Sequence, residues 1–178
     1  MYKYLLYFLI FSFLGWCAEA VFRFVKCHRP VNPGLARGPF CPIYGIGICL
    51  SAALLSDIDS FALLVVLSMA TATAVELAVG LFCDKLLSLR LWDYTSEKGN
   101  ILGYVCPRFS VIWGLLSASV IKLLPMIDRV INMLDGVLLK CLAFVIFVLV
   151  LADERMVMEK PRKSTQRDRE HDNAVNAH

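Results

Sequence analysis

The sequence predicts an all-α fold, a polytopic membrane bundle of about five transmembrane helices, from three observations. First, 58% of the 178 residues are hydrophobic and only 19% are charged. Second, the apolar residues form long runs, and the charges collect in short connections between them. Third, the runs are continuous instead of alternating, which is typical of helices and not of barrel strands. Several runs reach the roughly 17 to 25 residues that a helix needs to cross the hydrocarbon.

Five apolar runs give the spans of a transmembrane domain that occupies residues 1–153. The first run is too long for a signal peptide and contains Trp16 and Glu19, so we expect it to stay as a helix. The second is short, and the fourth is expected to stop at Pro125, because proline removes a helical hydrogen bond. The predicted spans cover about residues 2–24, 40–55, 61–83, 109–124 and 136–152.

The segment 84–108, between the third and fourth spans, combines leucines with aromatic and polar residues. Its leucines and Trp92 suggest an interfacial helix or a re-entrant piece. Trp92, Asp93 and Tyr94, followed by Asn100, mix aromatic rings with polar groups just before the fourth span. Aromatic side chains are enriched at the membrane interface, so anchoring explains them, and contact with a substrate or a gate is the other interpretation.

Positive charge sets the predicted orientation, because Lys and Arg collect on the cytoplasmic side of short loops. The basic stretches are the loops 23–37 and 84–108 and the charged tail 154–178, which we expect to be disordered. With five spans, a cytoplasmic C-terminal tail places the N-terminus outside. Both basic loops then also fall on the cytoplasmic side.

Three basic residues are exceptions to the rule that Lys and Arg collect on the cytoplasmic side. Lys122, Arg129 and Lys140 fall on the outer side of the predicted topology. We expect them to reach the lipid headgroups or to pair with Asp128 and Asp135.

The cysteines and the net charge exclude several classes of protein. Cys17, Cys49, Cys83 and Cys141 lie in apolar runs, where a thiol behaves as a small hydrophobe. No Cys-x-x-Cys pair or zinc spacing occurs, so we expect no disulfide framework, no metal and no cofactor. The net charge of +3 lies in the connections and the tail, which suits a lipid bilayer as partner and not nucleic acid.

A short pattern occurs twice along the chain. Glu19, inside the first span, is followed by a basic loop and by Gly-x-x-Cys-Pro at 38–42. Glu76, inside the third span, is followed by a basic loop and by Gly-x-x-Cys-Pro at 103–107. Both copies run in the same direction under the predicted topology, so they indicate a parallel duplication of a two-helix unit, unless two short matches arose by chance.

The two acids inside apolar spans are the first candidates for a functional site, because an ionised acid at mid-bilayer costs at least ~2.5 kcal/mol. Arg23 follows Glu19 by one helical turn, so a local ion pair is one interpretation and a functional site the other. Glu76 has no basic neighbour at helical spacing. We expect Glu76 to point into the bundle, where Arg23, Arg37 or Arg108 could reach it, or to be a protonated acid bonded to a neighbouring helix.

One face of the third span favours that placement of Glu76. It carries small residues and two acids at every fourth position: Ser68, Ala72, Glu76, Gly80 and Asp84. Small residues let another helix approach closely.

Each Cys-Pro pair predicts a helix start, since proline is tolerated in the first helical turn. Helix N-termini carry positive potential, so Cys41 and Cys106 could mark an anion-attracting vestibule with Arg37 and Arg108 beside it. Simple helix caps are the other interpretation. A relay for a soft metal stays a weaker one, because no Met or His cluster accompanies the cysteines.

The chain resembles the bacterial membrane family labelled ABC-transporter type IV, or CmpB-like permease, over about residues 4–153. The pieces that carry the resemblance are Phe13-Leu14-Gly15-Trp16 with Glu19, Gly38-Pro39-Phe40-Cys41-Pro42-Ile43-Tyr44-Gly45, Glu76, Trp92-Asp93-Tyr94, Asn100, Gly103, Cys106, Arg108-Phe109-Ser110 and Trp113-Gly114. The resemblance implies the membrane part of a transporter in the bacterial cell membrane. The chain has no G-x-x-x-x-G-K-[ST] phosphate loop, so ATP hydrolysis would need a separate ATPase subunit.

Three functions remain open from the sequence. The first is a permease of unknown substrate, whose thin wall of five helices favours a homo-oligomer or partner chains. The second is an intramembrane enzyme acting on a lipid or lipid-linked substrate with a Glu as general base. The third is a structural or regulatory scaffold. The candidate residues of a substrate or ion site are Glu19, Arg23, Arg37, Cys41, Glu76, Trp92, Asp93, Tyr94, Asn100, Cys106, Arg108, Ser110 and Trp113, with no catalytic residue and no metal ligand assigned.

Overall fold

The structure, a computed structural model, describes residues 2–27, 38–134 and 136–158. These residues form five helices and no extended strand, so the predicted all-α bundle is confirmed. The helices are α1 (Tyr2–Cys27), α2 (Pro42–Leu55), α3 (Phe61–Leu87), α4 (Pro107–Met133) and α5 (Val137–Met158). Residues 159–178 of the tail lie outside the described residues.

Three of the helices are long and apolar enough to cross a membrane. They are the stretches Tyr2–Val25, Phe61–Leu87 and Pro107–Met133, while Pro42–Leu55 is apolar but shorter. Many of their large apolar side chains face outward, which is how a bundle in lipid differs from a water-soluble one. The count of five spans and the position of the N-terminus outside stay predictions.

The helices pack as two pairs joined through α2. The closest pairs are α3 with α4 and α1 with α2, which are the two halves of the duplicated pattern, and α2 also packs on α3 and α4. The helix α5 packs on α1, where the rings of Phe8 and Phe147 meet edge to face at 5.5 Å. The larger core contains Tyr7, Phe11, Ile48, Ala52, Leu124, Ile131, Ala143 and Val150.

Glycines set the closest helix approaches. A Cβ at Gly45 of α2 would collide with Ser12 and with the backbone of Phe8 on α1. A Cβ at Gly114 of α4 would lie 2.7 Å from the Cβ and 2.9 Å from the Cα of Met69 on α3. In each pair the missing side chain lets two backbones approach closely, and dispersion contacts then hold the pair in a medium without a hydrophobic driving force.

The helix α4 continues through Pro125, so the predicted stop at this residue is wrong. It runs on to Met133 with Pro125 inside it. Proline removes one hydrogen bond but is tolerated in membrane helices where packing supports the next turn. Here the turn after Pro125 is held by Asp128, which accepts hydrogen bonds from Lys3 and Tyr7 of α1.

The segment after α3 is not an interfacial helix, contrary to one of the two interpretations of its sequence. The helix α3 extends to Leu87 and ends at Ser88, whose φ of 52° is left-handed. Residues 88–106, here called the α3–α4 loop, are irregular apart from one bridge between Ile101 and Val105. Polar side chains hold this loop, as described below, and they take the place of a helical hydrogen-bond pattern.

Two of the three bases that departed from the predicted orientation, Lys122 and Lys140, contact groups other than the expected acids. The Lys122 ammonium donates to the carbonyls of Ile58 and Asp59, at 2.9 and 3.2 Å. The Lys140 ammonium lies 5.2 Å from the ring centroid of Tyr2. Asp128 pairs with Lys3 and not with these bases, Arg129 is exposed, and Asp135 lies outside the described residues.

The close approach at Gly114 can be tested with a matched pair of substitutions. We expect Gly114→Ala to lower the free energy of unfolding by about 1–3 kcal/mol, because the new methyl group would overlap Met69. A methyl group at Gly47 on α2 would meet no neighbouring side chain or helix within 4 Å, so Gly47→Ala should be neutral or stabilising by up to about 1 kcal/mol. Thermal unfolding in detergent measures both, and equal stability of the two variants would contradict the tight α3–α4 crossing.

Candidate acidic site inside the bundle

Glu76 is the buried acid of the bundle, with only 6% of its surface exposed. Its Oε1 accepts a hydrogen bond of 3.0 Å from the Tyr94 hydroxyl, which comes from the α3–α4 loop. The Trp113 side chain of α4 lies beside the same carboxyl. Its other oxygen, Oε2, is buried and has no hydrogen-bond partner among the described residues. The carboxyl therefore keeps one free acceptor in an apolar helix.

None of the expected arginines reaches Glu76 within the described part of the chain. Arg108 is 70% exposed and pairs at 3.4 Å with Glu97 of the loop. Its guanidinium also lies 5.7 Å from the Phe109 ring centroid. Arg37 lies outside the described residues, and the described ion pairs do not include Arg23.

Glu19 bonds to a tyrosine and not to Arg23, so of the two interpretations of Glu19 the local ion pair is wrong. The Tyr44 hydroxyl of α2 donates to Glu19 Oε1 at 2.7 Å. The Tyr44 ring lies directly on Gly15, one turn before Glu19, and only glycine leaves room for it there. The close approach of α1 and α2 thus brings an uncharged donor to the carboxyl.

Four aromatic side chains lie between the two acids, and we name them the aromatic cluster: Tyr44, Tyr94, Phe109 and Trp113. The ring centroids of Tyr94 and Phe109 are 4.6 Å apart and stacked, and those of Phe109 and Trp113 are 6.4 Å apart. The Tyr44 and Trp113 rings meet edge to face at 5.4 Å. The cluster therefore connects Glu19, at the Tyr44 hydroxyl, to Glu76, at the Tyr94 hydroxyl.

The charge of both acids acts on Tyr94. Burial, then the charge and hydrogen bond of Glu76, and then the charge of Glu19 raise the pKa of the Tyr94 phenol above its ordinary value. Tyr94 therefore keeps its proton and acts as a donor. The structure brings Glu19 and Glu76 into one neighbourhood, which we call the carboxyl site: Glu19, Glu76 and the aromatic cluster.

Ser110 lies close to this site but faces α3. Its buried hydroxyl is hydrogen-bonded to the Thr73 hydroxyl, with the two oxygens 2.8 Å apart. Thr73 is also bonded to the Met69 carbonyl. Ser110 therefore ties α4 to α3 one turn from Glu76.

Both Cys-Pro pairs begin helices, as predicted. Cys41 precedes α2 and Cys106 precedes α4, each with proline in the first turn and without a side-chain capping bond. The Cys41 amide donates at 2.9 Å to the Ser12 carbonyl of α1, and Cys106 is 1% exposed. Within the described residues, no three His, Cys, Asp or Glu side chains come together as a metal site would require. Arg108 is exposed and paired to Glu97, so the structure shows both cysteines at helix starts and the vestibule stays a prediction.

Three of the predicted loop residues hold the α3–α4 loop together. The Trp92 indole donates to the Tyr104 carbonyl at 2.8 Å. Asp93 accepts from the Thr95 amide at 2.9 Å and from Arg90 at 3.1 Å. Partial burial opposes ionisation of Asp93, but the bonds from Thr95 and the charge of Arg90 prevail, so its pKa lies below the ordinary value.

Asn100 makes three of the bonds inside the loop. Its amide donates to the carbonyls of Thr95 and Glu97, and its oxygen accepts from the Gly103 amide at 3.0 Å. Gly103 has a φ of 74°, which favours glycine. Of the predicted loop residues, Tyr94 is the one that reaches an acid of the bundle.

Sequence reasoning missed Tyr44 and Phe109 as parts of the site. Each lies three residues after the cysteine of a Cys-Pro pair, on the first turn of its helix. Aligning the two copies of the pattern residue by residue would have shown an aromatic residue at the same position of both. It also missed Tyr104, whose hydroxyl donates to Asp84 at 2.5 Å.

The fold and the site together define a class: a membrane helix bundle that carries acidic groups in its apolar interior. The chain belongs to the family described as "Putative ABC-transporter type IV", whose model matches residues 6–158. The resemblance expected from the sequence is thereby confirmed. No curated protein and no solved structure matches the chain.

The role of Asn100 in the loop can be measured directly. We expect Asn100→Ala to speed hydrogen exchange at the Gly103 amide by about fivefold, because a net hydrogen bond of about 1 kcal/mol is lost. Ser96→Ala, at an exposed position of the same loop, is the control and should leave that exchange unchanged. Exchange at Gly103 that is the same in both variants would show that other contacts hold the loop.

Proposed function

We propose that the chain is a membrane subunit of a permease, and that the carboxyl site binds a proton or the cationic group of a substrate. One observation carries the proposal: Glu76 is buried in a helix long enough to cross the membrane, and its Oε2 has no partner within the described residues. An acid placed there costs free energy unless it is protonated, lines a cavity or meets a cation. A proton or cation that binds this oxygen would remove that cost.

The surroundings of Glu76 favour a positive charge over an anion. Tyr94 donates to one oxygen, while the aromatic rings of Trp113 and Phe109 stand nearby. Ring faces attract cations, and the donors near Glu76, the Tyr94 hydroxyl and the Trp113 indole N–H, are directed at its carboxyl. Arg108, which would have favoured an anion, is exposed and engaged with Glu97.

The two acids have different parts in this proposal. Glu19 is only partly buried, so it is the better-solvated acid of the pair. Glu76 is the more buried acid and keeps an unpaired oxygen. Because both lie at the aromatic cluster, we propose Glu76 as the binding group and Glu19 as the group that exchanges the proton or cation with water.

The family description supports a transporter with more than one subunit. An ABC transporter hydrolyses ATP, and the sequence contains no phosphate-binding loop of the G-x-x-x-x-G-K-[ST] type. We therefore propose a separate ATPase subunit as partner. Assembly into a homo-oligomer is a further part of the proposal, since a bundle of five helices encloses little space for a pathway.

The proposal can be tested by thermal stabilisation of the purified protein with inorganic cations and with ammonium compounds. A ligand at 100 times its Kd stabilises the folded state by about 2.7 kcal/mol, which raises Tm by several degrees. We expect at least one cation to stabilise the wild type and to lose this effect in Glu76→Gln. That cation is then followed across vesicle membranes containing the reconstituted protein.

The control for Glu76→Gln is Glu97→Gln, which makes the same chemical change at a carboxyl of the loop that pairs with Arg108. Glu97→Gln should keep the stabilisation. If neither a cation nor a proton acts through Glu76, the proposed binding group is wrong. If Glu76→Gln no longer accumulates in the membrane while Glu97→Gln does, the acid is structural, as a scaffold requires. Covalent change of a lipid without movement across the membrane would favour the intramembrane enzyme.

A further inference from the structure

A second polar site lies at the opposite end of the bundle from the carboxyl site. A cavity of about 240 Å³ opens between the beginning of α1, the end of α2 and the last turns of α4. Lys3 on its wall and Glu19 of the carboxyl site are on the same helix, roughly 24 Å apart at 1.5 Å of rise per residue. We name it the Asp128 cavity; its lining includes Lys3, Tyr7, Ala52, Ile121, Leu124 and Asp128.

The charge at the Asp128 cavity is already neutralised by a side chain of the protein itself. The Lys3 ammonium lies 2.7 Å from Asp128 Oδ2, and the Tyr7 hydroxyl donates to Oδ1 at 2.5 Å. The Lys3 side chain is 48% exposed and the Asp128 side chain 24% exposed. An ion pair with so exposed a base is weak, because solvent screens it and a long side chain must be held in one geometry.

Pro125 and several apolar side chains line the rest of the cavity. Pro125 has no N–H, so the Ile121 carbonyl one turn earlier lacks its usual helical donor. Next to Asp128 the wall is apolar, formed by Ala52, Ile121 and Leu124. A carboxylate beside an apolar wall in a small cavity matches an ammonium group that carries a short alkyl chain.

We propose that the Asp128 cavity binds a small primary alkylammonium compound, whose charged group replaces the Lys3 ammonium on Asp128. Lys3 is then a competitor within the protein, and its positive charge offsets the charge of the Asp128 carboxylate when no ligand is present. The alkyl part lies against Ala52, Ile121 and Leu124. This site uses none of the residues of the carboxyl site, so the two proposals are independent.

The test is calorimetric titration of n-butylammonium into the protein in lipid nanodiscs, in the Glu76→Gln background so that the carboxyl site does not contribute. We expect Lys3→Gln to bind the probe about two- to fivefold more tightly, because a weak competitor has been removed. We expect Asp128→Asn to bind it at least about tenfold more weakly, because the charged partner is lost. Asp57→Asn, at an exposed acid after α2, should bind as the parent does.

Two further measurements separate the role of charge at this cavity from effects on folding. The double variant Lys3→Gln with Asp128→Asn leaves neither charge unpaired, and we expect it to unfold at nearly the parent temperature without binding the probe. n-Butanol, which has the same chain without the charge, should not bind the parent. The proposal is wrong if Lys3→Gln binds the probe with unchanged affinity or does not bind it at all. It is also wrong if Asp128→Asn still binds the probe, or if n-butanol binds the parent as well as n-butylammonium does.

Discussion

A carboxyl group within an apolar helix needs a partner, and in this protein the partners are tyrosines. Glu19 and Glu76 each accept a hydrogen bond from a phenol on a different segment, Tyr44 for the first and Tyr94 for the second. A phenol satisfies one oxygen without adding a charge, so each acid keeps the capacity to take a proton or a cation. These two hydrogen bonds join α1 to α2 and α3 to the α3–α4 loop.

The close helix pairs make those contacts geometrically available. Gly45 brings the start of α2 against α1, Gly15 leaves room for the Tyr44 ring, and Gly114 brings α4 against α3. Trp113, one residue before Gly114, then lies between the Tyr44 ring and the carboxyl of Glu76. These three glycines thus determine where the aromatic cluster lies, and the cluster lies between the two acids. The Asp128 cavity at the other end is lined by α1, α2 and α4, and Pro125 and Asp128 lie three residues apart on α4.

Much of this organisation could be predicted from local properties of the chain. Hydropathy located the apolar helices, and the cost of a charge in lipid singled out Glu19 and Glu76. The Cys-Pro pairs marked the beginnings of α2 and α4, because proline without an N–H fits the first turn of a helix. The same rule failed at Pro125, since the turn that follows it is held from outside the helix by Lys3 and Tyr7. A local rule was sufficient where the local backbone decided the outcome and insufficient where packing did.

The hydropathy of a span and the position of a proline are local, and they were enough to establish a membrane helix bundle with two internal acids. The partners of those acids were decided by the tertiary structure. Arg23 lies one turn from Glu19, yet Glu19 is bonded to Tyr44. The rotation and crossing of α1 and α2 bring the phenol to this carboxyl. Rotation and crossing depend on how two surfaces fit, which the periodicity of a single helix does not specify. The distribution of charge in the sequence indicated which groups needed partners. Only the packing of the helices determined which groups they contact.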